Sequence, residues 1–182
     1  NSLYFVELGH VVPARLESSE VNILYANQEK LISALEVRNG FLHAEWKITD
    51  EGPKLIECAG RPAGDHILDL IELSYGFNVY EFIIRILAGE ICTVPQQPTN
   101  GACIRYFETN PGILKEIHGA EILEQENPNL IDWSITVEPG AKIDPFTSSW
   151  SRFGYVIVTG KNNNEAYLIS ESFVNNVKFV VN

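Results

Sequence analysis

The stretch "HAEWKITDEGPKLIECAGRPAGDHI", residues 43–67, is the part of the chain that best predicts its fold. Two runs typical of β-strands, residues 41–49 and 54–59, flank the turn sequence "DEGP" at residues 50–53. Strand-like runs on either side of such turn residues predict a β-hairpin. Each run carries one glutamate among apolar neighbours, and a carboxylate is costly in a core, so the pair requires an explanation.

The register of this hairpin brings the two glutamates together. A short turn centred on Glu51 places Glu45 directly opposite Glu57, with Lys47 and Leu55 on the same face. Opposed Cβ atoms lie about 4.5–5.5 Å apart. Two carboxylates at that separation repel each other unless a cation lies between them or one of them keeps its proton.

Spacing alone leaves three interpretations of the glutamate pair open. In the first, the register differs and both carboxylates lie on a solvated sheet face. In the second, they are ligands of a hard cation, since Mg²⁺ usually takes one or two carboxylates together with substrate phosphates. In the third, they are an acid and base pair of the kind that glycosidases use.

The residues after the second strand add candidate binding groups. Arg61 could hold a phosphate or a developing carboxylate charge, and its alternative is a structural salt bridge to Asp65 or Asp69. Gly64 precedes an apolar helix and permits close approach of a ligand to the helix N-terminus. Asp65 either caps that helix or contacts a substrate.

Composition limits the class of protein. The chain of 182 residues has a net charge of −11 and is 45% hydrophobic, which favours a packed core and argues against binding to nucleic acid or an anionic membrane surface. It contains no apolar run of 18 residues, so no membrane-spanning segment is predicted. Cys58, Cys92 and Cys103 form no CxxC pair, which is typical of reduced thiols in the cytoplasm.

The pattern along the chain predicts an α+β protein. We expect a strand at 3–13 and three helices, at 16–37 with Ser18 or Ser19 as N-cap, at 63–76 with Gly76 as its end, and at 78–90 with Asn78 as N-cap. A Pro-rich linker near residue 92 separates this mixed half from a mostly β half. In the second half we expect an antiparallel sheet or small barrel with strands in six runs: 102–109, 112–121, 130–140, 152–160, 165–173 and 177–182.

Residues 43–67 resemble the signature near the C-terminal end of ATP-grasp ligases, which runs His-x-Glu, a turn, then hydrophobic-Glu-x-Asn-x-Arg and glycine. The resemblance continues through "FVELGHVVPA" (5–14), "LDLIELSYGFNVYEFIIRILAGE" (68–90) and "RFGYVIVTGKNNNEA" (152–166). It is closest to the biotin-carboxylase-like branch and, within it, to the amino-acid ligases that make dipeptides. It implies the C-terminal part of an ATP-grasp domain at 1–92 and a small antiparallel β subdomain at 93–182.

The resemblance also implies roles for the hairpin residues. Glu45 and Glu57 would hold the Mg²⁺ ions, or Mn²⁺ in their place, that bridge the phosphates of ATP. Arg61 would stabilise the acyl phosphate and the tetrahedral intermediate that follows. Leu55 would lie near the adenine, and Lys47 on the same face is a second candidate contact to the nucleotide.

Four further positions are implied as substrate contacts. Glu7 and His10 stand at the spacing of a glutamate and histidine that contact the substrate in dipeptide-forming ligases, although His10 also fits a surface histidine at a strand end. Gly64 and Asp65 complete this set. A bulky aromatic residue can occupy the position of Asp65 in those enzymes, so the aspartate suggests a different substrate, one with a basic group.

Two departures from the family pattern affect the predicted activity. Ala59 stands where many ATP-grasp enzymes have an asparagine that is a further metal ligand. The chain also has no methionine and no glycine-rich, lysine-bearing loop of the kind that grips the phosphates. We therefore expect a piece of a longer protein, with the N-terminal and lid domains elsewhere in the same polypeptide.

The predicted function is that of a fragment of an ATP-dependent carboxylate–amine ligase that works through an acyl phosphate and is inactive alone. The expected partners are a small-molecule carboxylate and an amine, without nucleic acid or membrane, and a homodimer is compatible with the sequence. One alternative is a non-catalytic binding domain that keeps the fold. Trp133, Trp150 and Phe153 could form an exposed patch in it, although core packing is the favoured interpretation of these residues. A glycosidase is the other.

Overall fold

The computed structural model describes residues 4–182, and it contains four α-helices and nine β-strands in that range. The predicted α+β class is confirmed. The helices are α1 (Ser18–Ala34), α2 (Ile67–Tyr75), α3 (Val79–Leu87) and α4 (Asn163–Asn176). The strands are β1 (Gly9–Val12), β2 (His43–Thr49), β3 (Gly52–Ala59), β4 (Gly101–Tyr106), β5 (Gly112–His118), β6 (Leu130–Ile135), β7 (Lys142–Ile143), β8 (Gly154–Gly160) and β9 (Lys178–Val181).

The strands form three antiparallel sheets. The largest has the order β1-β4-β8-β6, the second is the β2-β3 hairpin, and the third has the order β7-β5-β9. β1 therefore joins the sheet of the second half of the chain, pairing Gly9 with Arg105 and Val12 with Ala102. This pairing brings the segment with Glu7 and His10 against the β-rich half. The predicted division after residue 92 stays a prediction.

The main core lies between the large sheet and α4. Phe107, Val156, Val158 and Phe173 are buried there, with Leu114 of the third sheet. A smaller cluster joins α2 to the other face of β4 through Leu70, Ile104 and Ile157. Because α2 packs on β4, the loop that precedes α2 is fixed against the end of β1.

Helix ends follow the predicted signals in two places. Gly76 ends α2 with a left-handed backbone (φ 69°), which glycine adopts without a steric penalty. Asn78 caps α3, and its side-chain oxygen accepts a hydrogen bond from the Glu81 N–H at 2.7 Å. Both motifs are local, and this explains why the sequence predicted them.

Other predicted boundaries are wrong. The N-cap of α1 is Glu17 rather than a serine, and the Glu20 carboxylate accepts a hydrogen bond from the Glu17 N–H at 2.9 Å. The N-cap of α2 is His66, so the predicted capping role of Asp65 is also wrong. A strand was predicted at 3–13, and within the described residues only Gly9–Val12 (β1) is a strand. Residue 3 lies outside the described residues.

The run at 165–173 is a helix, not the predicted strand. Asn162 accepts a hydrogen bond from the Glu165 N–H at 3.0 Å and begins α4. Ala166, Ser170 and Phe173 are its buried residues, at the spacing of one helix face. The short apolar run was misread as β because the small buried residues Ala166 and Ser170 hide the helical period.

Core packing, the favoured interpretation of three aromatic residues, is confirmed for two of them. Phe153 is buried in the main core and Trp133 packs against it, whereas the Trp150 residue is 96% exposed. They do not form one patch. None of the helices found in residues 4–182 is long and apolar enough to cross a membrane.

Candidate functional site

A cavity of about 410 Å³ lies where β1, the β2-β3 hairpin and the loop before α2 meet. Six of the nine predicted site residues line it: Glu7, His10, Glu45, Arg61, Gly64 and Asp65. His43, Trp46 and Ile67 complete the lining. The predicted residues Glu57, Lys47 and Leu55 are not among the lining residues. The fold thus gathers residues from three separated segments at one place.

The glutamate pair has the predicted register. Glu45 lies directly opposite Glu57 on the two strands of the hairpin. The turn is one residue shorter than expected, since Thr49 pairs with Gly52, and an extra residue, Ile56, restores the register as a β-bulge between Leu55 and Glu57. The two carboxylates are half-exposed, at 45% and 54%, so both are open to a ligand.

The bulge changes the neighbours of the pair. Leu55 lies opposite Trp46, and Lys47 lies opposite Lys54. Directly paired residues share a face and neighbours along a strand alternate, so Leu55 lies on the face of Trp46 rather than that of Glu45. The prediction that Leu55 and Lys47 share the glutamates' face is therefore wrong for Leu55. The indole N–H of Trp46 donates a hydrogen bond to Gln28 of α1 at 2.9 Å.

Each glutamate contacts one neighbouring side chain. A guanidinium nitrogen of Arg61 lies 3.8 Å from the Glu57 carboxylate, and both side chains are more than half exposed. Nε2 of His43 lies 3.2 Å from the Glu45 carboxylate. The predicted alternatives for Arg61, salt bridges to Asp65 or Asp69, do not occur, because those carboxylates pair with other residues.

Asp65 is the most connected residue of the cavity. Its Oδ2 accepts a hydrogen bond from Arg152 at 2.6 Å, and Nε2 of His10 lies 3.4 Å from the same oxygen. Partial burial raises the pKa of the Asp65 carboxyl, but the hydrogen bond and charge of Arg152, helped by His10, outweigh burial and bring the pKa below its ordinary value. Asp65 is thus held as a carboxylate.

The backbone at Asp65 is strained. Asp65 and His66 both have left-handed backbone angles, φ 53° and φ 60°, and each such non-glycine residue costs of order 1–3 kcal/mol. The hydroxyl of Tyr106 donates to the Asp65 carbonyl at 3.4 Å, and Nδ1 of His66 lies 2.9 Å from the Asp69 carboxylate. These contacts fix the turn that presents the Asp65 carboxylate to the cavity.

Arg152 is the main residue that the sequence did not single out. Its side chain is only 8% exposed. It donates to the Glu7 carbonyl at 3.1 Å as well as to Asp65, and its guanidinium carbon lies 3.9 Å from the centre of the Tyr106 ring. Arg152 follows Asp65 by 87 positions, so no local spacing could indicate the pair. The only available signal was an arginine beside Phe153 at the start of an apolar run.

The donor set of the glutamate pair suits a hard cation. Two half-exposed carboxylates on directly paired residues offer only oxygen ligands, and Mg²⁺ prefers such ligands. Within residues 4–182, no group of three or more His, Cys, Asp or Glu side chains is placed to hold a metal ion without help. The pair therefore fits a metal that takes its remaining ligands from phosphates and water.

Comparisons with known proteins relate the chain to ligases. Residues 105–182 match the family model described as L-amino acid ligase C-terminal domain 2. The protein y4rH of Sinorhizobium fredii is 24% identical over 179 residues, which are 98% of this chain and 37% of that protein. The solved structure of the L-amino acid ligase from Bacillus licheniformis matches with a TM-score of 0.81 and 18% identity. The match covers 98% of this chain and 45% of the ligase chain.

Two other solved structures have the same fold. Phosphoribosylglycinamide synthetase from Anaerococcus prevotii matches with a TM-score of 0.77 and 21% identity, over 97% of this chain and 46% of that one. The biotin carboxylase domain of 2-oxoglutarate carboxylase from Hydrogenobacter thermophilus was solved with MgADP and bicarbonate. It matches with a TM-score of 0.61 and 16% identity, over 96% of this chain and 39% of that one. The chain has the fold of the C-terminal part of an ATP-grasp ligase.

The resemblance to ATP-grasp ligases is therefore confirmed as a likeness of fold. The chain spans less than half the length of these ATP-grasp structures and of the curated relative. In the full-length relatives, more than half of the polypeptide lies outside the region that this chain matches.

Proposed function

We propose that the full-length protein is an ATP-dependent carboxylate–amine ligase of the amino-acid or dipeptide type, acting through an acyl phosphate. The observation that carries the proposal is the glutamate pair of the hairpin: Glu45, which lines the cavity, lies opposite Glu57, and Arg61 lies within 3.8 Å of Glu57. Directly opposed like charges on a sheet are destabilising, and a divalent cation between them removes that cost.

The charges of the reactants explain why this set of groups is useful. A substrate carboxylate attacks the γ-phosphate of ATP, so two anions must approach each other, and an amine then displaces phosphate from the acyl phosphate. When bound, Mg²⁺ neutralises the phosphate charge. Glu45 and Glu57 would hold the metal, and the exposed guanidinium of Arg61 would stabilise the charge that develops on the acyl group.

The other lining residues fit the amino-acid end of the cavity. Glu7 and His10 come from the β1 segment, and Gly64 and Asp65 come from the loop before α2. Ammonium groups bind carboxylates, and the Glu7 carboxylate is 55% exposed with only a long contact of 3.5 Å to Arg152. We assign Glu7 to the substrate ammonium group and His10 to a second polar contact.

The described residues supply few contacts to the nucleotide. Leu55 and Lys47 lie outside the cavity lining, and the lid and N-terminal parts would supply most of the ATP contacts. The Glu57–Arg61 pair is exposed, so it does not have the buried, structural character that would favour a non-catalytic domain. Lys47 is likewise exposed.

The test is release of ADP by the full-length protein with a panel of amino acids, ATP and Mg²⁺. Glu45→Gln and Glu57→Gln keep the size of each side chain and remove its charge, and the expected loss of kcat/KM is about 10²-fold. Glu51→Gln is the matched control, because Glu51 lies on the same hairpin with an exposed ion pair to Lys54 at 2.9 Å. Equal rates in all three variants would reject the metal assignment.

A second experiment concerns the chain by itself. Without the phosphate-gripping parts, residues 1–182 should bind Mg²⁺-ATP only weakly and release no ADP. Isothermal titration of the isolated chain measures this directly. Micromolar affinity for Mg²⁺-ATP would contradict the assignment of the main nucleotide contacts to other parts of the polypeptide.

A further inference from the structure

We propose that Arg152 and Asp65 together make the substrate site select an amino acid whose side chain has no net charge. The inference rests on the proposed ligase function and names the class of substrate within it. Asp65 alone suggested a substrate with a basic group, and its partner in the fold changes that expectation.

Arg152 is placed to neutralise Asp65 permanently. Its side chain is 8% exposed, and one guanidinium nitrogen lies 2.6 Å from Oδ2 of Asp65. A second nitrogen donates to the Glu7 carbonyl at 3.1 Å, and the guanidinium lies on the Tyr106 ring at 3.9 Å. A guanidinium with this many fixed contacts is preorganised, and moving it away from Asp65 would leave a buried charge without its partner.

Asp65 lies at the boundary between two cavities. It lines the 410 Å³ cavity with Glu7 and His10, and it also lines a second cavity of about 370 Å³ with Arg152. Its side chain is 41% exposed, so the carboxylate is accessible to a ligand. Among residues 4–182, the described contacts of its carboxylate, those to Arg152 and His10, both involve Oδ2.

The charge balance at this end of the site determines which side chains fit. A basic substrate side chain that approaches Asp65 meets a carboxylate already paired with Arg152, and its own charge is repelled by the guanidinium. An acidic side chain meets the Asp65 carboxylate before it can reach Arg152. An uncharged side chain is repelled by neither group. It can still donate a hydrogen bond to the Asp65 carboxylate or form one with His10.

The experiment measures kcat/KM of the full-length protein for lysine, glutamine and glutamate as the varied amino acid, with ADP release as the readout. Arg152→Met leaves Asp65 unneutralised, and the lysine-to-glutamine ratio should rise about 10-fold or more. Asp65→Asn leaves Arg152 without its main partner, and the glutamate-to-glutamine ratio should rise. The double variant should return to the preference of the wild type.

Ratios within one variant do not depend on the fraction of folded enzyme, so partial loss of stability cannot imitate the result. Arg105→Met is the matched control, since Arg105 pairs with Glu171 at 2.8 Å and has no described contact with Asp65, and its ratios should equal those of the wild type. Unchanged ratios in both single variants, or a wild type that prefers lysine, would overturn the inference. Absence of ADP release with every amino acid would instead reject the proposed function and this inference with it.

Discussion

Glu45 and Glu57 lie directly opposite each other because a β-bulge at Ile56 compensates for a two-residue turn at Asp50 and Glu51. If β3 continued without the bulge, the register set by this turn would place Glu45 opposite Ile56 instead. A bulge of this kind redirects side chains locally. The juxtaposition of two carboxylates thus depends on one residue that carries no charge itself.

Replacement of Arg61 should lower activity while leaving the stability of the chain nearly unchanged. Its pair with Glu57 is 3.8 Å long and more than half exposed on both sides, and such pairs contribute about 0–1 kcal/mol. Arg61→Met should therefore change the unfolding free energy of the chain by less than about 1 kcal/mol while lowering kcat/KM of the full-length protein in the proposed ligase reaction about 10²-fold. Urea unfolding and ADP release check the two parts, and a large loss of stability would show that Arg61 is structural.

Replacement of Gly9 should disturb the site through the backbone. A Cβ at Gly9 would collide with the Ile104 carbonyl oxygen and with the Arg105 side chain. Gly9→Ala should destabilise the chain by about 1–3 kcal/mol, because β1 must move away from β4, and it should displace His10 with it. Gly60→Ala is the control, since nothing lies within 4 Å of the added atom. Equal melting temperatures for the two variants would contradict the prediction.

Acid should weaken the link between the two halves of the chain. The pKa of Asp65 lies below its ordinary value of 3.8 in the folded protein. A lowered folded pKa means that the stabilisation is present above pH 3.8 and is lost as the pH falls below that value. The stability difference between the wild type and Asp65→Asn should therefore stay constant above about pH 5 and shrink as the pH falls below 3.8, measured by urea unfolding at about half-unit steps. A difference that stays constant would exclude the ion pair as its source.

Two tyrosines should ionise late. Burial, together with the charge of Asp65, raises the pKa of Tyr106 to about 12. Burial also raises the pKa of Tyr155 to about 12, together with its hydrogen bond to Asp132. A raised folded pKa stabilises the fold below the ordinary value of 10.0, and this stabilisation is lost as the pH rises toward about 12.

An ultraviolet titration of phenolate formation tests the late ionisation. Tyr106→Phe and Tyr155→Phe should each remove one group from the late part of the curve. If Tyr106→Phe shortens the early part instead, the phenol is not held in the buried position described.

Local sequence signals predicted the elements that local contacts stabilise. Asn78 before α3 and Gly76 after α2 were predicted from single residues, because a cap and a left-handed end need no distant partner. The hairpin was predicted from the turn residues between two short strands. The pairing of Glu45 with Glu57 followed from it, although through a different turn length and a bulge that nothing in the sequence indicated.

Distant packing decided what these signals could not. The run 165–173 looks like a strand in isolation and becomes α4 because it packs on β4 and β8. Asp65 looks like a helix cap or a lone acidic contact, but the fold places Arg152 against it. The N-terminal segment looks like a long strand, and only its pairing with β4 limits it to Gly9–Val12.

The sequence by itself determined that two carboxylates and an arginine belong to one hairpin and its exit, because strand register and turn residues act over a few positions. Tertiary structure alone decided which charges meet those groups. Arg152 reaches Glu7 across 145 positions and Asp65 across 87, and contacts of that span exist only after β1, β4 and β8 have paired. The charge of the candidate site is therefore a property of the packed fold, since it depends on a partner that no local pattern encodes.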